Sequence, residues 1–173
     1  MPGAIPGQIL VAEHAGVHVI KLLGDVRLTL CMSFDQFIES MFQRDDFVSI
    51  LFDLTEAQAI DSTTLGLMAK FSIFARELRE VTPLIVSTNP SINRLLESMT
   101  FAEIFDIMHE MPSGLANELQ QATQQLPDSP LAEGDAKAKV IEAHKILMDM
   151  NEANHETFKD LVKVLEDDNL SGG

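Results

Sequence analysis

The sequence contains one cysteine, Cys31, in 173 residues. A single thiol forms no intrachain disulfide and supports no thiolate metal cluster. Tryptophan and tyrosine are absent, and phenylalanine supplies the aromatic side chains, which disfavours a platform for stacking nucleic-acid bases. Basic residues are scarce: 12 Lys and Arg stand against 27 Asp and Glu, for a formal net charge of −15 and a pI near 4.5. Such a field repels phosphate backbones and anionic lipid surfaces. Neither nucleic acid nor membrane is expected as a partner, and a protein with a basic face is favoured. No run approaches the roughly 18 apolar residues of a membrane span, and "MPGAIPGQIL" lacks a basic region leading into a long apolar stretch. The expected setting is cytoplasmic. A Walker-type glycine loop, a nucleophile–base pair and a metal-ligand spacing are all missing, so no enzyme activity, cofactor or metal is expected.

What is present is a substantial apolar fraction, 46%, enough to bury a core in one domain with an appendage. "QILVAEH" and "VHVIKLL", joined by Ala15-Gly16, predict a β-hairpin. "GDVRLTL" follows as an irregular connection. Phe34, Phe37, Ile38, Met41 and Phe42 recur at helical spacing, with Ser33 and Gln36 placed as a capping box. "FVSILFDL" is of strand length and apolar enough to be covered on both faces. In "LGLMAKFSIFARELREV", Leu65, Met68, Phe71, Ala75 and Leu78 form a core stripe. Leu67, Ile73 and Phe74 fall off it, so this helix is more apolar than one-sided packing requires. "TPLIVST" predicts a strand. Asn89 as N-cap and Pro90 in the first helical position start the next helix, with Ile92, Leu95, Leu96 and Met99 on its apolar face. "FAEIFDIM" predicts a last strand and "SGLANELQQA" a closing helix. Strands alternating with helices after a hairpin imply an α/β fold: a small mixed sheet, N-terminal hairpin then parallel strands, with crossover helices.

That domain is expected to span residues 1–125. "QQLPDSPLAEGDA" contains the linker, 126–134. Residues 135–173 are helix-prone and form a C-terminal helical extension. Val140, His144, Leu147, Asn151, Asn154, Phe158, Leu161 and Leu165 make a seam with a polar middle. Asn there either fixes the register of a helical pair or marks a break between two helices. The extension is expected to dimerise the chain, to cover the sheet or helices of its own domain, or to offer a second partner site. His144 and His155 are read as seam or surface residues, since the Lys-Gly run expected after a phosphotransfer histidine is absent.

The candidate site is Asp61-Ser62-Thr63-Thr64, at the carboxyl end of a strand, where open parallel sheets tend to place binding sites. A helix N-terminus there offers unpaired N–H groups and a partial positive charge that would receive a phosphate on Ser62. The simpler alternative is a helix cap. Gly66 indicates more than capping, because glycine in a helix costs about 1 kcal/mol relative to alanine. Close approach of another backbone or tight packing on the sheet would each account for it.

"DSTTLGL" within this element order resembles the STAS family, the anti-sigma factor antagonists and the related domain of sulfate transporters. The family's turn reads Asp-Ser-Ser/Thr-Gly-Leu-Gly, and Asp61, Ser62, Thr63, Leu65 and Gly66 match it. "STNPSINRLLESMTFAEIFDI" is similar to the family's ending, and the resemblance spans roughly Gln8 to Ala122. It implies a partner switch. The unmodified protein binds an anti-sigma factor that is also a serine kinase, phosphorylation at Ser62 releases it, and a PP2C-type serine phosphatase resets the switch. Thr63 and Thr64 are alternative acceptors. The implied partner surface comprises Asp25, Arg27, Asp61, Thr63, Thr64, Gly66, Lys70 and Phe74. Two departures stand out. Thr64 occupies a position usually held by Gly, and Arg27 in "GDVR" stands where the family often has Asp, placing a cation that could pair with phosphoserine. A scaffold protein of the same family, binding a non-sigma signalling partner, is the alternative function. A small hydrolase or transferase using Ser62 is the enzyme-class alternative.

Overall fold

A computed structural model describes residues 6–27, 30–110, 124–126 and 133–171. Strand β1 (Gln8–His14) and strand β2 (Val17–Val26) form the expected antiparallel hairpin. Its two-residue turn is possible because Ala15 and Gly16 both take positive φ, 51° and 83°, a geometry whose twist matches that of the flanking strands. Helix α1 (Cys31–Phe42) follows, then strand β3 (Ser49–Ile60), helix α2 (Ser62–Arg79), strand β4 (Leu84–Val86), helix α3 (Pro90–Ser98) and strand β5 (Asp106–Met108). Strands β2, β3, β4 and β5 run parallel. A two-residue strand β6 (Gln124–Gln125), not anticipated from the sequence, adds antiparallel to β1 and completes the order β5-β4-β3-β2-β1-β6. Helices α4 (Glu133–Met150) and α5 (Glu152–Ser171) end the chain.

Several expectations change. α1 begins at Cys31 with Leu30 as N-cap and no side-chain cap bond, so Ser33 lies inside the helix and the capping box does not form. β3 does not stop at Leu54 but runs on to Ile60, because the long β2 gives it a partner as far as Val26. Two irregularities in the β2–β3 register, after Lys21 and after Gly24, fit the extra residues of β3 against β2. Leu78 is 67% exposed and leaves the expected stripe of α2. The predicted closing helix, Ser113 to Ala122, falls outside the described residues. The cap of α3 is as expected: the Asn89 side chain accepts from the Ser91 amide at 2.9 Å, with Pro90 in the first turn.

The polar middle of the C-terminal seam is a break. The Asn151 side chain accepts from the Asn154 amide at 2.7 Å, starting α5 as α4 ends. The break also shifts the periodicity, so that Val162 is buried whereas Leu161 is 42% exposed. Ala143 and Leu147 of α4 join the same apolar cluster as Ile20, Phe52, Leu65 and Phe71. The extension is thus packed on the domain through α2.

His18 of β2 is buried at 2% exposure. Its ring lies 5.7 Å from that of Phe47, nearly parallel, and neither ring nitrogen has a hydrogen-bond partner among the described residues. Burial lowers its pKa below 6.5, aided by Arg44 and opposed by Glu13 and Asp46. The folded state therefore resists protonation. Stability is retained above the unfolded value and lost as pH falls through and below 6.5. In thermal melts, His18→Phe is expected to flatten the decline between pH 7.5 and 5.5; an unaltered pH profile would show that another group causes it.

Candidate functional site

Asp61 caps α2. Its backbone is extended (φ −76°, ψ 164°) and its carboxylate accepts from the Thr64 amide at 2.8 Å. Ser62 is therefore the first residue of the helix, directly after the end of β3. The neighbouring strand brings its own end alongside: Asp25 pairs with Ala59 and Val26 with Ile60, and the Asp61 amide donates to the Val26 carbonyl at 3.1 Å. Asp25, Arg27 and Asp61 thus sit together at the carboxyl edge of the sheet. Arg27 donates to the Asp25 carboxylate at 2.8 Å. That hydrogen bond and the charge of Asp25 raise its pKa, with a smaller contribution from Asp61.

Thr63 and Thr64 point the other way. They are 5% and 2% exposed, and the Thr64 hydroxyl has no hydrogen-bond partner among the described residues. Ser62 is only half-buried and is the more accessible hydroxyl of the three.

The expected open face of α2 is instead covered by α4. The Ser62 hydroxyl lies 2.7 Å from Nε2 of His144. Nδ1 of that ring lies 2.6 Å from the Val140 carbonyl. A carbonyl only accepts, so Nδ1 donates to Val140, and Nε2 is left to the Ser62 hydroxyl. The His144 ring also meets the edge of Phe158 from α5, with 4.8 Å between centroids, and His144 is 2% exposed. One turn along, Gly66 touches α4 directly: a Cβ there would lie 2.3 Å from the Ala143 carbonyl oxygen. Of the two explanations open for this glycine, the structure shows close backbone approach. Next, Lys70 Nζ reaches Asp35 of α1 at 3.1 Å and Glu142 of α4 at 2.8 Å, while Lys139 of α4 also binds Asp35. Burial lowers the Lys70 pKa, but the hydrogen bonds to Glu142 and Asp35 outweigh it and the net shift is upward. Phe74, at the far end, remains 39% exposed, with Lys70 Nζ 5.9 Å from its ring centre.

The implied surface is therefore split. Asp25, Arg27 and Asp61 sit together at the sheet edge; Gly66 and Lys70 lie under α4; Thr63 and Thr64 are internal; Phe74 is partly free. His144, Ala143, Glu142, Lys139 and Asp35 were missed as site residues. The off-stripe Leu67 and the glycine at 66 signalled a second packing partner for α2, but nothing local named it. Among the described residues no cluster of ligating side chains suits a metal ion, and no helix is long and apolar enough to cross a membrane.

Two solved structures share this architecture over nearly their whole length. One is an anti-sigma factor antagonist from Mycobacterium paratuberculosis, with a TM-score of 0.53 and 17% identity, covering 67% of this chain and 96% of the other. The second is the anti-sigma factor antagonist SpoIIAA in its unphosphorylated form, with a TM-score of 0.55 and 10% identity, covering 67% and 99%. This chain has the STAS fold. No family model matches the sequence, and no curated relative does. In this chain Ser62 stands where strand β3 hands over to α2. About a third of this chain lies beyond what each of the two structures covers.

Proposed function

We propose that the chain is an anti-sigma factor antagonist working as a partner switch, with Ser62 as the phosphoacceptor. The observation carrying this reading is the position of Ser62: first residue of α2, most accessible hydroxyl of its turn, in the fold of two anti-sigma factor antagonists. The unmodified chain binds an anti-sigma factor that is also a serine kinase. Transfer of the γ-phosphoryl group of ATP to Ser62 Oγ breaks the bond to the bridging oxygen, releases ADP and gives the hydroxyl proton to solvent. The product carries about −1.5 to −2 charge beside Asp25 and Asp61, which is costly to desolvate against a partner, so the complex separates. A PP2C-type phosphatase removes the group. Arg27, now held by Asp25, is positioned to turn towards the phosphate. In this reading residues 1–125 are the switch domain, 126–134 the linker and 135–173 the helical extension, and the protein is cytoplasmic and not an enzyme. Leu161 and Val164, both exposed on α5, supply a surface through which the extension pairs two copies.

Ser62→Ala and Ser62→Asp baits in a native lysate test this, read by quantitative mass spectrometry. A kinase-like anti-sigma protein is expected with the Ala form and at least about tenfold less with the Asp form, a loss of ~1.4 kcal/mol or more. Identical partner sets would overturn it. A second reading has one observation in its favour, the Ser62–His144 hydrogen bond, which is the nucleophile–base pair the sequence did not show. It predicts ester hydrolysis that disappears in Ser62→Ala; no hydrolysis above that control removes it.

A further inference from the structure

We propose that the helical extension α4–α5 is a resident occupant of the partner-binding face of α2, and that its docking and a phosphoryl group on Ser62 exclude each other. The inference rests on the reading of Ser62 as the switch residue. Three contacts carry it, one per turn of α2. His144 receives the Ser62 hydroxyl, as a docked partner would. Ala143 sits against Gly66 with no space for even a methyl group. Glu142 and Lys139 close over Lys70 and Asp35. Together they occupy the surface that a partner reading Ser62 has to reach. An external protein therefore binds only the fraction of molecules in which α4 has lifted, and its apparent affinity is reduced by that fraction.

The same contacts make the site intolerant of phosphate. The space between Ser62 Oγ and His144 Nε2 is a single hydrogen bond long, 2.7 Å. A phosphoryl group places three more oxygens into a gap filled by one hydrogen bond, with the Asp61 carboxylate already holding the Thr64 amide. The helices cannot yield by degrees, because the backbone contact at Gly66 fixes their separation and packed interfaces switch rather than stretch. Ser62 hence reaches a kinase only when α4 is off, and once phosphorylated it keeps α4 off. The extension competes with the partner for the unmodified form.

The experiment uses the full chain with phosphoserine installed at position 62 during synthesis, so it depends on no kinase. Hydrogen exchange followed by mass spectrometry is compared with the unmodified chain and with Ala143→Arg, which drives a long side chain against Gly66. Amides of residues 133–150 are expected to exchange about tenfold faster or more in both, while those of β2 and β3 stay protected and show that the domain is folded. Unchanged protection of α4 in the phosphoserine chain would overturn the proposal. A second probe reads access to the site. In a Cys31→Ser chain carrying Ser62→Cys, the rate of thiol alkylation by N-ethylmaleimide is expected to rise about tenfold on adding Ala143→Arg; equal rates would also overturn it. The two readings fail separately: an Ala/Asp bait pair retaining identical partners removes the sigma-system switch, and leaves the exchange result standing.

Discussion

Gly66→Ala is expected to destabilise the full chain, lowering its urea midpoint. Helix propensity alone predicts the opposite sign, since replacing a helical glycine by alanine gains about 1 kcal/mol. The contact with α4 reverses it. The new methyl carbon would stand 2.3 Å from the Ala143 carbonyl oxygen, 2.6 Å from its Cβ and 2.7 Å from its carbonyl carbon. Two of these three atoms are backbone, so no side-chain rotation relieves the overlap, and one helix has to move. Overpacking of this kind costs about 1–3 kcal/mol, a range whose middle exceeds the propensity gain. The way the loss is distributed is diagnostic. If α4 lifts to accommodate the methyl group, amides of residues 133–150 lose protection while the strands keep theirs. A raised midpoint with full protection of α4 would show that the two backbones are not in contact, and would remove the physical account of this glycine.

The local patterns that survived into the structure are those whose cause is local. The hairpin turn needs positive φ and has Ala15-Gly16; the start of α3 needs an acceptor and has Asn89. The buried face of α1 follows from side-chain period, with Phe34, Ile38 and Met41 buried. Failures arise where a distant element decides. Glu56 to Ala59 lack strand-forming character, yet they extend β3 because β2 runs alongside them. The seam of α4 and α5, by contrast, breaks at Asn151, one of the two readings its polar middle allowed, through a local capping bond. The site was legible to the same extent. Asp61 as cap and Ser62 after it follow from the order of residues, and Gly66 announced a close neighbour. His144 lies 82 residues from Ser62, and no spacing rule joins a serine at a helix start to a histidine that far along the chain. The surplus apolar residues of α2 were the sequence trace of that contact. They indicate a helix packed on two sides, and the structure supplies α4 as the second.

Asp35→Asn is expected to lower stability by about 2–3 kcal/mol. Asp35 is 4% exposed on α1 and receives Lys70 of α2 and Lys139 of α4, so one carboxylate ties three helices. Removing its charge leaves two ammonium groups sharing Glu142, which lies 2.8 Å from one and 3.7 Å from the other. Breaking a fully buried pair costs about 3–5 kcal/mol. The discount is warranted because the lysine side chains keep 13% and 18% exposure and Glu142 is 41% exposed, which lets water and salt screen what remains. Adding Lys139→Met should recover part of the loss by removing one unpaired cation, and a double-mutant cycle separates that coupling from the cost of each change. The upward shift of Lys70 supplies a further check. A lysine whose pKa is raised on folding contributes stability below the unfolded value of about 10.5 and loses it as pH rises through the folded value. In Asp35→Asn the alkaline decline in stability should shrink, because burial then opposes the charge with less to offset it and the folded value moves back towards the unfolded one. The loss should concentrate in the docking of α4, seen as faster exchange of residues 133–150. A stability loss confined to α1, with α4 fully protected, would mean that Asp35 anchors its own helix and does not hold the extension over Ser62.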